Sequence, residues 1–273
     1  MTDTATLQVR VRATTYEAQN ILGFELVPLD ATTTLPAFTA GAHIDVHLPG
    51  GLLRSYSLLN DPQETHRYRI GVNRDAQSRG GSRYMHEQLR TGAVLTISTP
   101  RNLFAMDESS AFNVFIAGGI GITPMLSMIA RSQALGTPWT LYYTARTRAH
   151  AGFLDLLETA AGAGNGQVVL NFDQEPGGKL LDLAAIVADL PAGAHVYCCG
   201  PIPMLEAYEK ATASLPAERV HMEYFAAKDA PATDGGFSVE LARSHKTLQI
   251  PAGKTILDCL IEINAEPPYS CRE

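Results

Sequence analysis

A predicted buried strand that runs into a glycine-rich loop and then into a helix constrains this chain more than any other feature. The strand covers residues 113–117, three glycines fall within residues 118–121, and the helix is predicted to start at Thr123 or Pro124. Glycines let the backbone come close to a pyrophosphate, and a helix N-terminus supplies free N–H groups and a partial positive charge. The pattern predicts a phosphate-binding loop. It does not follow the common G-x-G-x-x-G spacing, and a tight turn is the alternative interpretation.

Strands and helices alternate over the rest of this region. Strands are predicted at residues 113–117, 139–144, 168–172, 195–199 and 219–225, and helices at residues 123–135, 152–161, 180–190 and 203–215. This alternation predicts a doubly wound parallel sheet, in which ligands bind at the carboxyl ends of the strands. The sequence Cys198-Cys199-Gly200-Pro201 follows the fourth strand at that same edge. It predicts a second ligand loop, although two small buried residues are the alternative interpretation of the adjacent cysteines.

The first hundred residues are rich in short strands separated by glycine and proline. The strands are predicted at residues 7–13, 23–27, 43–48, 54–59, 68–73 and 94–98. Their spacing predicts an antiparallel barrel or sandwich, interrupted by one helix with Ser82 as its N-cap. Residues 101–111 are predicted to link this region to the parallel sheet.

Two polar motifs in the first region predict a site for one phosphate. Arg-Ser-Tyr-Ser at residues 54–57 lies on a strand, and Gly-Gly-Ser-Arg at residues 80–83 precedes the helix. Arg54 and the helix start at Ser82 would hold the phosphate, and Tyr56 would stack on a flat ring. An ordinary exposed strand is the alternative interpretation of the first motif.

Length and composition narrow the function classes. The chain has 273 residues, which suggests about two domains, and a net charge of −7, which argues against a nucleic-acid partner. The N-terminus has no apolar segment typical of a signal peptide, and no apolar run is long enough to span a membrane. These features predict a cytoplasmic protein with no membrane partner, whose four cysteines are free thiols. The eight histidines are scattered without the spacing of metal ligands or of a hydrolase triad.

A third region follows a linker at residues 226–236 that is rich in alanine, glycine and proline. A hairpin is predicted at residues 237–241 and 247–250, and a helix at residues 255–264. About 37 residues remain after the linker, too few to form an independent hydrophobic core without a cross-link such as a disulfide or a bound metal.

Taken in order, these motifs resemble a known family. Arg-Ser-Tyr-Ser at 54–57, Gly-Gly-Ser at 80–82, the loop at 118–124, Cys-Gly-Pro at 199–201 and His-Met-Glu-Tyr-Phe at 221–225 resemble the ferredoxin-NADP reductase superfamily. Within that superfamily the chain is similar to the phthalate dioxygenase reductase and vanillate demethylase reductase group. The resemblance implies a flavin-binding β-barrel domain at residues 1–104 and an NAD-binding α/β domain at residues 105–228.

The resemblance also implies that residues 229–273 are a linker and the truncated start of a plant-type ferredoxin domain of the β-grasp fold. Such a domain holds a 2Fe-2S cluster on a C-x4-C-x2-C motif and a distant fourth cysteine. Cys271 fits the first ligand, and the sequence ends two residues later. We therefore expect that this chain alone cannot hold the cluster. A free Cys271 at a ragged end is the alternative interpretation.

The same resemblance implies the site residues. The FMN site would comprise Arg54, Ser55, Tyr56, Ser57, Gly71, Val72, Asn73, Gly80, Gly81 and Ser82. The NADH site would comprise Gly118, Gly119, Ile120, Gly121, Thr123, Pro124, Arg146, Cys199, Gly200 and Pro201. The catalytic residues beside the reacting rings would be Thr123, Cys199 and Phe225. Phe225 would cover the flavin until the nicotinamide displaces it, or it is simply a core aromatic residue. Glu223 would add polarity there.

The implied reaction is hydride transfer from NADH to FMN, followed by one-electron transfer through a 2Fe-2S cluster to a Rieske-type aromatic oxygenase or demethylase. One predicted phosphate site in the barrel favours FMN. At the adenosine end, Arg146 or Arg148 would suit a 2′-phosphate, Asp173 would suit a free 2′-hydroxyl, and solvated surface charges are the third interpretation. The resemblance favours NADH. The alternatives are an FAD-dependent NADPH reductase that serves a separate ferredoxin, and a non-catalytic scaffold with the same fold.

Overall fold

The structure is a computed structural model that describes residues 5–76, 78, 80–162, 164–225, 235–242, 244 and 246–263. The described residues up to Phe225 form one compact unit, and those from residue 235 onward belong to a second. None of the described helices has the length and apolar composition needed to cross a membrane.

The first region is a six-stranded antiparallel sheet. Its strands are β1 (Thr6–Ala18), β2 (Ile21–Pro28), β3 (His43–Leu48), β4 (Leu52–Ser57), β5 (Tyr68–Asn73) and β6 (Val94–Ser98). They lie in the order β4-β3-β6-β1-β2-β5, and a bridge between Leu58 and Ile70 joins the two edges of the sheet. The sheet therefore curls into a barrel, as the strand spacing predicts. Alternate residues such as Ile44 and Val46 are fully buried in its core, because side chains of a strand point to opposite faces.

The helix α1 (Gly81–Glu87) contacts both edge strands, β4 and β5. The predicted N-cap at Ser82 is wrong. The N-cap is Gly80, which has a φ of 106°, and Ser82 lies in the first turn. The reason is that the chain enters this helix in a left-handed conformation, which glycine adopts without the steric penalty that serine would meet. The Ser82 Oγ instead accepts a hydrogen bond from the backbone N–H of Asp75 at 3.3 Å.

The second region is a five-stranded parallel sheet. Its strands are β7 (Asn113–Gly118), β8 (Trp139–Ala145), β9 (Gly166–Phe172), β10 (His195–Cys199) and β11 (Val220–Glu223), in the order β11-β10-β7-β8-β9. The helices are α2 (Ile122–Leu135), α3 (Leu154–Gly162), α4 (Leu183–Ala188) and α5 (Ile202–Thr212). Apolar residues of α2 and α3 pack on one face of the sheet, and those of α4 and α5 on the other. The predicted doubly wound architecture is confirmed.

The barrel and the parallel sheet share a hydrophobic core. Ala18, Ile21, Ala40 and Leu59 of the first region belong to the same buried cluster as α2 and the core strands of the second. This shared core explains why the two regions form one compact unit.

The second compact unit contains the hairpin of β12 (Phe237–Leu241) and β13 (Lys246–Ile250), followed by α6 (Ile256–Glu262). Thr255 caps this helix, because its hydroxyl accepts from the Asp258 N–H at 3.0 Å while the Asp258 carboxylate accepts from the Thr255 N–H at 2.9 Å. The predicted hairpin and helix are therefore present. Cys271 lies outside the described residues.

Candidate functional site

The site lies at the carboxyl edge of the parallel sheet, where the strand order reverses. The loops after β7 and β10 meet there, because these neighbouring strands connect in opposite directions. A Cβ on Gly121 would lie 2.2 Å from the Cys199 carbonyl oxygen, and one on Gly118 would lie 2.7 Å from Cδ of Pro201. The two predicted loops thus pack together as one cradle, and close backbone approach requires glycine at both positions.

All but one of the predicted NADH residues lie in this cradle or at its ends. The first loop runs from the end of β7 to the first turn of α2 and contains Gly118, Gly119, Ile120, Gly121, Thr123 and Pro124. The second loop contains Cys199, Gly200 and Pro201, and the remaining residue, Arg146, follows β8. Gly119 has a φ of 54° and open space where a side chain would stand. A ligand can therefore reach its backbone directly, which fits a bound pyrophosphate.

Thr123 joins this cradle to the barrel. Its hydroxyl donates to the carbonyl oxygen of Ile120 at 3.0 Å, and the residue is 2% exposed. Its methyl group faces the barrel, since a Cβ on Gly71 would lie 2.8 Å from Thr123 Cγ2. The structure thus brings together Gly71 of the predicted flavin strand and Thr123 of the predicted nicotinamide loop.

The predicted flavin residues lie on three neighbouring elements. Arg54, Ser55, Tyr56 and Ser57 lie on β4; Gly71, Val72 and Asn73 lie on β5; and Gly80, Gly81 and Ser82 lie at the start of α1. The Arg54 side chain lies across Gly81, because a Cβ there would be 2.6 Å from Arg54 Nε. Ser55 is on the other face of β4, where its hydroxyl donates to Asp45 Oδ1 at 2.6 Å. Its side chain therefore points away from Arg54 and Tyr56.

Two of these barrel residues could hold parts of a flavin nucleotide. Arg54 supplies a guanidinium beside the backbone of Gly81, held by an N–H that donates to the Leu53 carbonyl oxygen at 2.7 Å, and such a group suits a phosphate. Tyr56, on the same face of β4 as Arg54, supplies a half-buried aromatic ring. Both side chains lie on β4, an edge strand of the sheet that contacts α1.

Cys199 and Phe225 lie next to the cradle. Cys199 is fully buried, and burial raises the pKa of its thiol. Phe225 is half-buried and packs against the same hydrophobic cluster as Cys199. Cys199 pairs in register with Glu223 of the neighbouring strand. Glu223 Oε2 is buried without a hydrogen-bond partner among the described residues, and burial raises the pKa of this carboxyl group to about 8.

Replacing Glu223 by glutamine is expected to remove a pH-dependent loss of stability. The pKa of Glu223 is about 8 in the folded chain, against about 4.3 when unfolded. Between these values the unfolded chain releases the proton and the folded chain keeps it. The free energy of unfolding of the wild type therefore falls as the pH rises from about 5 to about 8. Urea unfolding at several pH values should show that the free energy of unfolding of Glu223→Gln rises relative to that of the wild type across this pH range.

The exposed Glu206 provides the matched control for this measurement. Glu206→Gln should follow the wild type at a constant offset from pH 5 to pH 8. A constant offset for Glu223→Gln as well would contradict the raised pKa.

The adenosine end of the site would lie where β8 and β9 finish. Arg146 and Arg148 are exposed there. Asp173 follows β9, and its Oδ1 is buried without a hydrogen-bond partner among the described residues. Its backbone N–H donates to the Ala145 carbonyl oxygen at 3.2 Å. An unsatisfied buried carboxylate oxygen is suited to accept a hydrogen bond from a ligand hydroxyl.

Within the described ranges, no group of three or more histidine, cysteine, aspartate or glutamate side chains could hold a metal ion. Cys198, Cys199 and Cys259 are buried free thiols. The predicted cluster ligand, Cys271, falls outside these ranges, so its surroundings stay a prediction.

Comparison with known proteins identifies the family. Residues 115–210 match the family model of the oxidoreductase NAD-binding domain. The chain is 55% identical over 269 residues to phenoxybenzoate dioxygenase subunit beta of Ectopseudomonas oleovorans, covering 98% of this chain and 82% of that protein. It is 42% identical over 260 residues to vanillate O-demethylase oxidoreductase of Pseudomonas putida, covering 94% and 81%.

A solved structure gives the same result. Phthalate dioxygenase reductase, described as a modular structure for electron transfer from pyridine nucleotides to [2Fe-2S], superimposes with a TM-score of 0.79 at 34% identity, covering 98% of this chain and 83% of that one. Because the match covers 98% of this chain, it includes residues of both compact units. The chain therefore belongs to the phthalate dioxygenase reductase and vanillate O-demethylase reductase group, and it is an NAD(H)-using oxidoreductase of the kind that forms the reductase component of oxygenase systems.

Proposed function

We propose that this chain binds FMN at the barrel and NADH at the glycine cradle, and that it passes electrons from NADH towards a Rieske-type aromatic oxygenase or demethylase. The contact between Thr123 and Gly71 carries the proposal. A Cβ on Gly71 would lie 2.8 Å from Thr123 Cγ2, so the strand proposed to border the flavin and the loop proposed to hold the nicotinamide are in direct contact. Hydride transfer needs the two cofactor rings side by side, and the contact between these two protein segments supports such an arrangement.

Each part of the proposed site has a distinct task. When bound, FMN would supply a ring that can accept a hydride and release electrons one at a time. Gly119 and Gly121 would take the pyrophosphate, and the cradle formed with Gly200 would orient the nicotinamide. Phe225 would cover the flavin ring until the nicotinamide arrives. Glu223, protonated at neutral pH because its pKa is about 8, would add a polar group without a full negative charge.

FMN is proposed rather than FAD because FMN carries a single phosphate, which needs a single anion site. Arg54 and the backbone at Gly80 and Gly81 would form that site, and the position of Arg54 across Gly81 supports it. Residues 1–104 are proposed as the flavin domain and 105–228 as the NAD domain. Residues 229–273 are proposed as a linker and the start of a ferredoxin domain. Cys271 is proposed as the first ligand of the 2Fe-2S cluster that this ferredoxin segment would hold.

The proposed function predicts a yellow protein. Heating the purified chain should release a flavin that elutes with FMN on chromatography, and mixing with NADH in a stopped-flow instrument should bleach the flavin absorbance. A colourless chain that takes up no flavin would contradict the proposal. Released FAD, with faster bleaching by NADPH than by NADH, would favour the FAD-dependent alternative.

NADH is proposed over NADPH because of Asp173, whose buried Oδ1 would accept from the 2′-hydroxyl and repel a 2′-phosphate. Asp173→Ser should weaken NADH binding by roughly tenfold or more, which is the usual contribution of a hydrogen bond to a charged group. It should also reduce the preference for NADH over NADPH. Dissociation constants from titration of both nucleotides measure this effect.

Asp155 offers a control of equal charge, because it is exposed in the first turn of α3. Asp155→Ser should keep the nucleotide preference of the wild type. Equal preferences in Asp173→Ser and the wild type would show that Asp173 does not contact the ribose.

A further inference from the structure

Phe153 adopts a backbone conformation that bulky residues avoid. It lies between β8 and α3 with a φ of 63°, and it is 1% exposed. A side chain of this size is strained in the left-handed region, and such strain persists only where the surrounding structure enforces it. The packing around residue 153 therefore determines its conformation.

The segment 149–153 is tied to both halves of the first compact unit. The backbone N–H of Gln19, in the turn between β1 and β2, donates to the Ala149 carbonyl oxygen at 2.8 Å. The backbone N–H of Gly152 donates to the hydroxyl of the buried Tyr143 on β8 at 3.0 Å. The segment thus connects the barrel to the parallel sheet immediately before Phe153.

The Phe153 ring fills the contact between β5 and α2. A Cβ on Gly71 would lie 2.7 Å from Phe153 Cζ and 2.8 Å from Thr123 Cγ2. Three groups therefore meet at one point: the edge of the Phe153 ring, the methyl group of Thr123 and the backbone of Gly71. A residue without a side chain is the one that fits there. Since all three are buried and close-packed, a change in the ring shifts the strand relative to the helix.

We propose that Phe153 is a positioning residue for hydride transfer, because its ring sets the separation between the flavin strand at Gly71 and the nicotinamide loop at Thr123. This inference rests on the proposed function. Phe153 would act through Gly71 and Thr123, the two residues that meet its ring. A displacement of about 1 Å between reacting groups is enough to slow a reaction by orders of magnitude.

Phe153→Leu tests the proposal, because leucine keeps an apolar side chain and removes the ring edge nearest to Gly71. At saturating NADH, we expect the rate of flavin bleaching to fall about tenfold, while the dissociation constants for FMN and NADH change less than about twofold. Phe115→Leu is the matched control. Phe115 is fully buried in the same cluster, on β7, so its loss weakens the core without removing a ring from the Gly71 contact.

A second readout needs no cofactor. In the chain freed of flavin and nucleotide, backbone amides of β5 should exchange with solvent faster in Phe153→Leu than in the wild type, and Phe115→Leu should leave them unchanged. If Phe153→Leu fails to fold, Phe153→Met takes its place, because methionine fills the space more completely.

The outcomes separate the two proposals. A wild-type chain that NADH does not bleach overturns the proposed function and this inference with it. Normal bleaching in the wild type and in Phe153→Leu overturns the role of Phe153 alone. Equal losses in rate in Phe153→Leu and Phe115→Leu also overturn it, because the effect would then reflect general loosening of the core.

Discussion

Gly121→Ala is expected to lower the free energy of unfolding by about 3 kcal/mol, the upper end of what overpacking usually costs, and to weaken NADH binding about 30-fold, or about 2 kcal/mol. The new Cβ would lie 2.2 Å from the carbonyl oxygen of Cys199 and 2.5 Å from its carbonyl carbon. This backbone cannot yield easily, because β10 pairs with β7 on one side and with β11 on the other. The loop after β7 must therefore move away from the loop after β10.

Gly136→Ala is the control for this substitution. Gly136 follows α2 with a φ of 72° and has open space where a Cβ would stand, so alanine there costs about 1 kcal/mol of backbone strain and leaves the cradle intact. Urea unfolding and NADH titration of both variants measure the two effects. A Gly121→Ala chain that binds NADH as tightly as the wild type would show that the packing of the two loops does not form the nucleotide site.

The sequence predicts this cradle because the same glycines serve the fold and the ligand. Three glycines directly after a buried strand indicate close backbone approach, and Gly121 and Gly118 make that approach to the loop after β10. The doubly wound sheet is predictable for a similar reason, since strand and helix periodicities alternate regularly along the chain.

Other features depend on contacts between residues that are distant in sequence. Residue preference predicts Ser82 as the cap of α1, but the left-handed turn that enters the helix requires Gly80. Ser55 belongs to the Arg-Ser-Tyr-Ser motif, and its pairing with Asp45 shows that its side chain faces the opposite side of the strand. Nothing in the sequence near Phe153 indicates a positive φ, because its conformation is imposed by packing between the barrel and the parallel sheet.

Arg54→Ala is expected to raise the dissociation constant for FMN about 100-fold, or about 2.7 kcal/mol, which is the range of hydrogen bonds between charged groups. The Arg54 side chain extends across Gly81, the first residue of α1. In the proposed site this guanidinium is the cation that meets the flavin phosphate. Arg54→Lys keeps the charge and loses the planar, two-pronged donor, so an intermediate loss of roughly tenfold is expected.

Riboflavin distinguishes a phosphate contact from a ring contact, because it carries the same ring without the phosphate. Fluorescence titration of the flavin-free chain should show that the wild type prefers FMN to riboflavin, and that Arg54→Ala loses this preference while its affinity for riboflavin hardly changes. The exposed Arg90, beyond the end of α1, gives the control, since Arg90→Ala removes a positive charge away from the proposed phosphate. If Arg54→Ala weakens both flavins equally, Arg54 acts on the ring or on the barrel itself, and the assignment of the phosphate to the start of α1 is wrong.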